Sequence, residues 1–289
     1  MPVARRFEWR VPARDHAWEG QAGDRRLVEA TAGGRAGPDR RYRPFVETPA
    51  LFREFADLPA PLTEAAVVAF ADRYGALGVD ADLAPRRWED GERLETWSAE
   101  REAMREAVSL LDALVAEDEG ELESFARRLR RERNLRLSVE VRLRDDLLPI
   151  TSLSEPPGRR ERADAYLAGL IEGRLPGMTE AQMELDSAPG RPRLVHRPHH
   201  LLGVLWLQLA LALAEGKTYR RCEGCGAWLE ISEEAGRSDR RYCSTACRMR
   251  AYRERQERAR ELAAQGMVAG AIAAELGTDM ETVLGWLRR

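Results

Sequence analysis

"RRCEGCGAWLEISEEAGRSDRRYCSTACRMRAYRER", residues 220–255, holds all four cysteines of a 289-residue chain. Their order is Cys222-x2-Cys225, then seventeen residues, then Cys243-x3-Cys247. Two close pairs separated by a loop supply what a tetrahedral site with four thiolate ligands needs, and Zn2+ is the ordinary occupant of such a site. Each pair grips the ion from a tight turn, and Gly224 and Gly226 lend the first turn its freedom. Ser244 reads as the N-cap of a helix. Cys247 then falls in the first helical turn, where the dipole favours a thiolate. Two disulfides would also use four cysteines, but not in a reducing compartment, and buried free thiols would leave the spacing unexplained. Four protein thiolates leave no open position for water, so this zinc folds a module and performs no chemistry.

The compartment is read from the rest of the chain. The opening MPVARRFEWR lacks the apolar run of a secretory signal. The most apolar stretch, "LLGVLWLQLALALAEG" at 201–216, contains Gln208 and is shorter than the ~20 residues a membrane span requires. It reads as a buried helix, and a cytoplasmic protein without a membrane segment is expected.

Apolar residues make up 44% of the chain and charged ones 33%, yet the net charge is only −3, which describes a globular chain of two or three domains and not a uniformly basic one. Lys217 is the only lysine, so nearly all positive charge is arginine. Such a bias lowers the meaning of any single Arg, but their distribution is uneven. Between 237 and 260 stand nine arginines against three acids, a local charge of +6. Arg240, Arg241, Arg248, Arg250, Arg253 and Arg255 are the candidate phosphate contacts, because guanidinium forks bind phosphate well. A helical projection of 246–264 places Met249, Tyr252, Gln256, Ala259 and Ala263 on one stripe, flanked by Arg248, Arg255 and Arg258 on one side and Arg250, Arg253 and Arg260 on the other. The plainer alternative is that the arginines lay their stems along that stripe and keep their heads in water.

The tail, "LAAQGMVAGAIAAELGTDMETVLGWLRR" at 262–289, reads as two short helices joined by a turn. Val268, Ala271, Ile272 and Leu276 give one apolar face. Gly277 is placed to end that helix in a left-handed cap. Thr278 with Glu281 forms a capping box for the next helix, whose Val283, Trp286 and Leu287 face the core. The spacing Ala273, Gly277, Val283 is that of helix-turn-helix DNA-binding units. Residues facing a major groove would be Asp279, Met280, Glu281 and Leu284. Two of these are acidic, so a packing or dimerisation pair is the competing reading.

"YRRCEGCGAWLEI…GRSDRRYCSTACRMRAYRERQ" resembles the CGNR-type zinc finger, which in bacteria closes proteins described as stress-induced transcriptional regulators. The cysteine spacing and the run Arg240 to Ser244 carry the resemblance over about forty residues. Where that family reads Cys-Gly-Asn-Arg, this chain has Cys247, Arg248, Met249, Arg250. The resemblance implies a treble-clef-like finger with the four cysteines as ligands, and DNA as partner. "PFVETPALFREFADLP", "VVAFADRYGALG" and "LLGVLWLQLALALAEGKTYRRC" are similar to proteins that carry such a finger after a helical domain, and imply no activity.

The remaining N-terminal part gives a coarser reading. Three runs with β character, "RRFEWRV", "RRLVEAT" and "RRYRPFVE", lie between 5 and 47 and suggest a small meander or an extended arm. Beyond Pro44 helices are expected at 63–78, ending at Gly75 or Gly78, at 93–120 with a stop near Leu114, at 121–133 and at 201–216. A strand is expected at 135–143. Loops are expected at 152–162 and 186–200, the second holding His196, His199 and His200 as solvated side chains. Neither that cluster, the hydroxyls of Thr151 to Ser154, nor Asp145 and Asp146 assembles a nucleophile with a base, so no enzyme is expected.

The expectation is therefore a mainly α chain with a few short strands (α+β). Its parts are a β or extended segment at 1–43, a helical domain at 44–216 for sensing or dimerisation, a four-cysteine zinc finger at 217–256, and a helix-turn-helix-like tail at 257–289. It would bind nucleic acid, DNA before RNA, as a regulator, and could be a homodimer. The alternative is a zinc-stabilised scaffold for another protein.

Overall fold

The structure is a computed structural model that describes residues 6–21, 24–30, 38–79, 91–135, 158–184, 192–231 and 240–288. It is mainly helical, with small antiparallel sheets of two strands each. The chain divides into two compact units, 1–218 and 219–289. The expected parts 1–43 and 44–216 fall in the first, and residues from 219 on form the second.

The first unit opens with β1 (Trp9–Val11), β2 (His16–Glu19), β3 (Arg26–Glu29) and β4 (Arg40–Tyr42). They pair as two nested ribbons, β1 with β4 and β2 with β3. This corrects the expected three runs. "HAWE" is a fourth strand whose His16 is buried and bound through Nδ1 to Asp72 at 2.9 Å. "PFVE" is not strand but a helical turn, α1 (Pro44–Glu47), because Pro44 at its start fixes φ for a helix.

Then come α2 (Leu51–Ala56) and α3 (Glu64–Tyr74). Thr63 caps α3 by accepting from the Ala66 N–H at 3.3 Å, and Gly75 at φ 95° ends it. Next is α4 (Leu94–Val115), which stops where the acidic end was expected to stop it. Trp97, Met104 and Leu111 are buried along it, while Val115 is exposed. α5 (Glu119–Leu135) follows. The expected strand at 135–143 lies outside the described residues from 136 on, as do Asp145, Asp146 and Thr151 to Ser154.

Two expected loops are corrected. Arg159–Arg162 are not loop but the first turn of α6 (Arg159–Glu172), whose Ala163, Leu167 and Ile171 are buried at helical spacing. After the short α7 (Leu175–Met178), β5 (Thr179–Glu184) pairs with β6 (Arg193–Pro198). The Pro-rich composition of 186–200 hid the strand β6.

α8 (Leu201–Ala214) is the buried helix that the apolar run announced. Its one polar interior residue, Gln208, is fully used. Its carbonyl accepts from the Phe52 N–H at 3.2 Å, and its amide donates to the Pro44 and Thr48 carbonyls at 3.1 and 2.8 Å. No helix among the described residues is long and apolar enough to cross a membrane.

His200, expected to be solvated, is 1% exposed and is the N-cap of α8. Its Nδ1 accepts the Gly203 N–H at 3.0 Å, which leaves the proton on Nε2. Burial, aided by the neighbouring His199, pulls its pKa down to about 4. An unfolded histidine titrates near 6.5, so between these values the unfolded chain binds a proton that the native chain refuses. The contribution is complete above pH 6.5 and is lost as pH falls toward 4. It amounts to about 3 kcal/mol by linkage. Replacing His200 by Asn retains a cap and should remove that part of the pH slope in urea unfolding. An unchanged slope would place the titration elsewhere.

In the second unit, β7 (Tyr219–Arg221) and β8 (Trp228–Glu230) form a hairpin. α9 (Thr245–Ala264), α10 (Ala269–Glu275) and α11 (Met280–Leu287) then close around Ala259, Leu262, Ile272, Ala273, Val283 and Trp286. Trp286 donates from Nε1 to the Tyr252 hydroxyl at 3.0 Å, with the two rings edge to face. Gly277 takes φ 59° directly after the α10 C-cap, as read. The cap of α11 is shifted by one residue from the expected Thr278. Asp279 accepts both the N–H and the hydroxyl of Thr282, each at 2.7 Å.

Candidate metal centre

Hairpin and helix bring the four cysteines together. Cys222 follows β7, Cys225 lies in the turn before β8, and Cys243 and Cys247 flank the start of α9. All four Sγ atoms lie within 4.8 Å of one another. Cys225 and Cys243 are 3.6 Å apart, and Cys243 and Cys247 are 3.3 Å apart. None is joined in a disulfide. A tetrahedral ion with metal–sulfur bonds of about 2.3 Å would hold its sulfurs roughly 3.8 Å apart. The cluster is of that span, so the four cysteines could hold a metal ion. Among the described residues, no other group of three or more His, Cys, Asp or Glu side chains converges this way.

The local backbone explains the convergence. Cys222 donates its N–H to the Ala227 carbonyl at 2.8 Å, and Gly226 donates to the Cys222 carbonyl at 2.8 Å, which folds 222–227 into a knuckle. The Glu223 N–H reaches the Arg241 carbonyl at 3.0 Å and ties the knuckle to the second cysteine pair. Gly224 is there for space. A Cβ on it would lie 2.9 Å from the Cys247 carbonyl oxygen. Ser244 caps α9 as read, accepting the Cys247 N–H at 3.1 Å.

The thiols are electrostatically unequal. Burial opposes ionisation of Cys222, but N–H groups of Cys243, Gly224 and Cys225 outweigh it and bring its thiol down to about 7. Burial pushes Cys243 up to about 12, and its sulfur neighbours add to this. The first thiolate forms easily and the next ones repel it. A cation among the sulfurs relieves that repulsion.

The six arginines go to different places. Arg240 donates to the Tyr242 carbonyl at 3.0 Å and to the Cys243 carbonyl, so its guanidinium braces the second cysteine pair. Arg241 pairs with Glu223 at 2.6 Å. Arg255 is half-buried and donates to the Ala251 carbonyl at 3.3 Å. Arg248, Arg250 and Arg253 are exposed and, among the described residues, make no ion pair.

The expected apolar stripe of α9 is rotated. Cys247, Ala251, Ala259 and Leu262 are its buried residues, while Met249 is 43% exposed. The cysteine cluster fixes the setting of the helix at Cys247, and Leu262 is the large side chain that the three-helix core needs. Tyr252 and Ala263 pack against that core as expected. Compared with protein-family models, with curated proteins and with solved structures, the chain matches none.

Proposed function

We propose that the second unit is a zinc-stabilised nucleic-acid-binding module of the CGNR type and that the chain is a transcriptional regulator. The observation that carries this reading is the convergence of four sulfurs at the first turn of an arginine-bearing helix. Zn2+ on Cys222, Cys225, Cys243 and Cys247 fastens the hairpin to α9 as in a treble clef. Arg248, Arg250 and Arg253 contact phosphates, which positions the protein on a duplex without reading its sequence. Arg240 and Arg241 support the site through their internal bonds, and Arg255 stays at the helix flank. α10 and α11 act as a helix-turn-helix. The Asp279 carboxylate is engaged by its own helix, which reduces its repulsion of a phosphate backbone. The first unit senses a ligand or dimerises.

A second reading is favoured by Glu254, Glu257 and Glu261, which are exposed on the same helix as the free arginines. They offset its charge and suit a protein partner. Fluorescence anisotropy of the zinc-loaded chain with mixed-sequence duplex DNA and with RNA separates the two. Under the first reading, binding weakens steeply between low and physiological salt. Replacing Arg250 and Arg253 together by Ala lowers the salt slope by about 2. No binding at low salt with zinc in place makes the module a scaffold.

A further inference from the structure

We propose that Cys225 and Cys243 form an oxidant-sensitive pair at which a peroxide converts two metal ligands into a disulfide and releases the ion. The proposal rests on the four-thiolate reading of the cluster.

The four sulfurs differ in access. Cys222 is 2% and Cys247 7% exposed, both packed with Leu229. Cys243 is intermediate and Cys225 is exposed. An oxidant from solvent therefore meets Cys225 first, and the half-buried sulfur waiting 3.6 Å away is Cys243. Closing that gap to a disulfide length of about 2.05 Å needs a movement of roughly 1.5 Å. The exposed turn around Cys225 can supply it. Cys247, although nearer to Cys243, is held in the first turn of α9 by the Ser244 hydroxyl and is shielded from the oxidant.

The chemistry balances in two steps. The Cys225 thiolate attacks one oxygen of hydrogen peroxide. An S–O bond forms, the O–O bond breaks, and hydroxide leaves, giving a sulfenic acid. The Cys243 thiolate then attacks the Cys225 sulfur. The S–S bond forms, the S–O bond breaks, and a second hydroxide leaves. Both hydroxides take protons to become water, and two electrons have passed from the thiolates to the peroxide. Cys222 and Cys247 alone are half a zinc site, and the ion departs.

The new bond keeps the hairpin tied to α9. The cluster of Ala259, Leu262, Ile272, Ala273, Val283 and Trp286 shares no residue with the core around the cysteines. Oxidation should thus eject metal without melting α9 to α11, and reduction should restore the site.

The test uses the full chain loaded with zinc. Hydrogen peroxide is added in steps while a chromophoric chelator reports free zinc. Differential alkylation and peptide mass mapping then assign the bonds. The expected result is one disulfide between Cys225 and Cys243 for each ion released, as the main pairing, because oxidation follows exposure. Helical circular dichroism is retained, and dithiothreitol with zinc reverses the change. Zinc held through excess peroxide, release without that disulfide, or a Cys222–Cys247 bond as the main product overturns the proposal. A chain that takes up no zinc before oxidant is added refutes the four-thiolate reading instead.

Discussion

Replacing Cys222 by Ser is expected to abolish stoichiometric zinc binding and to unfold the knuckle while leaving the first unit intact. Cys222 is the most buried of the four sulfurs and the one that gathers N–H groups from both sides of the cluster, including that of Cys243 at 3.3 Å. A serine there is a poor ligand and would place a hydroxyl against Leu229. Structural zinc contributes about 10–16 kcal/mol to small four-ligand modules at neutral pH, and that contribution is inseparable from their folding. Few side-chain contacts lie behind it here. Beside the cysteines, the core of the knuckle is Leu229 with Ile231 and Tyr242 partly buried against it. Metal removal from the unchanged chain should give the same product. The check is zinc content after gel filtration, with thermal unfolding followed by circular dichroism. Bound zinc should be lost while the helical signal and the transition of the first unit stay in place, because α9 to α11 have a core apart from the cysteines and α4 and α8 bury their own apolar faces. Zinc at one equivalent in Cys222→Ser would remove the cysteine cluster as its site.

The same cluster shows what the sequence made legible. A spacing of cysteines, a serine before a helix and a glycine after one are local signals, and each acts within a few residues. Cys222 to Cys247, Ser244, Thr63, Gly75 and Gly277 all stand where local chemistry put them. So does the end of α4, since a helix that runs into "EDEG" opposes its own dipole. What failed was non-local. His200 sits in a segment rich in Pro and His; its cap on Gly203 is local, but its burial comes from the packing around α8. β5 alternates over Glu180–Glu184 but its Ala181 and Met183 stay exposed, and in β6 Leu194 and Val195 stand side by side, so no buried face marked the pair. The stripe drawn through Met249, Tyr252, Gln256, Ala259 and Ala263 gives no weight to the cysteine ligand, and α9 is rotated from it. The setting is dictated at one end by Cys247 and at the other by Leu262.

Glu92 is the strongest case of a non-local role. Seven of the ten residues in "RRWEDGERLE", 86–95, are charged, yet Glu92 is 4% exposed. Its backbone exchanges hydrogen bonds with Leu27 at 2.8 and 3.0 Å, which joins β3. Its carboxylate accepts the N–H of Leu77 at 3.1 Å, of Gly78, and of Val79 at 3.3 Å, together with Trp97 Nε1 at 2.7 Å. One residue thus meets the N-terminal ribbon through its backbone and joins the segment after α3 to the first turn of α4 through its side chain. Burial pushes this carboxyl above its ordinary range, and the four N–H groups oppose that rise. All four are donors, so the site requires acceptors only. A glutamine keeps the shape but turns an NH2 group toward two of the donors. Each buried group left unsatisfied costs about 1–3 kcal/mol, and more where the lost partner was charged. Glu92→Gln should therefore lower the stability of the first unit by about 4 kcal/mol. Urea unfolding at pH 7 reads this directly from the midpoint at unchanged slope. Surface carboxylates nearby set the comparison. Glu95→Gln on the exposed side of α4 should stay within about 0.5 kcal/mol of the unchanged chain. If the two substitutions cost the same, the carboxylate of Glu92 is not what holds the segment after α3 to the first turn of α4.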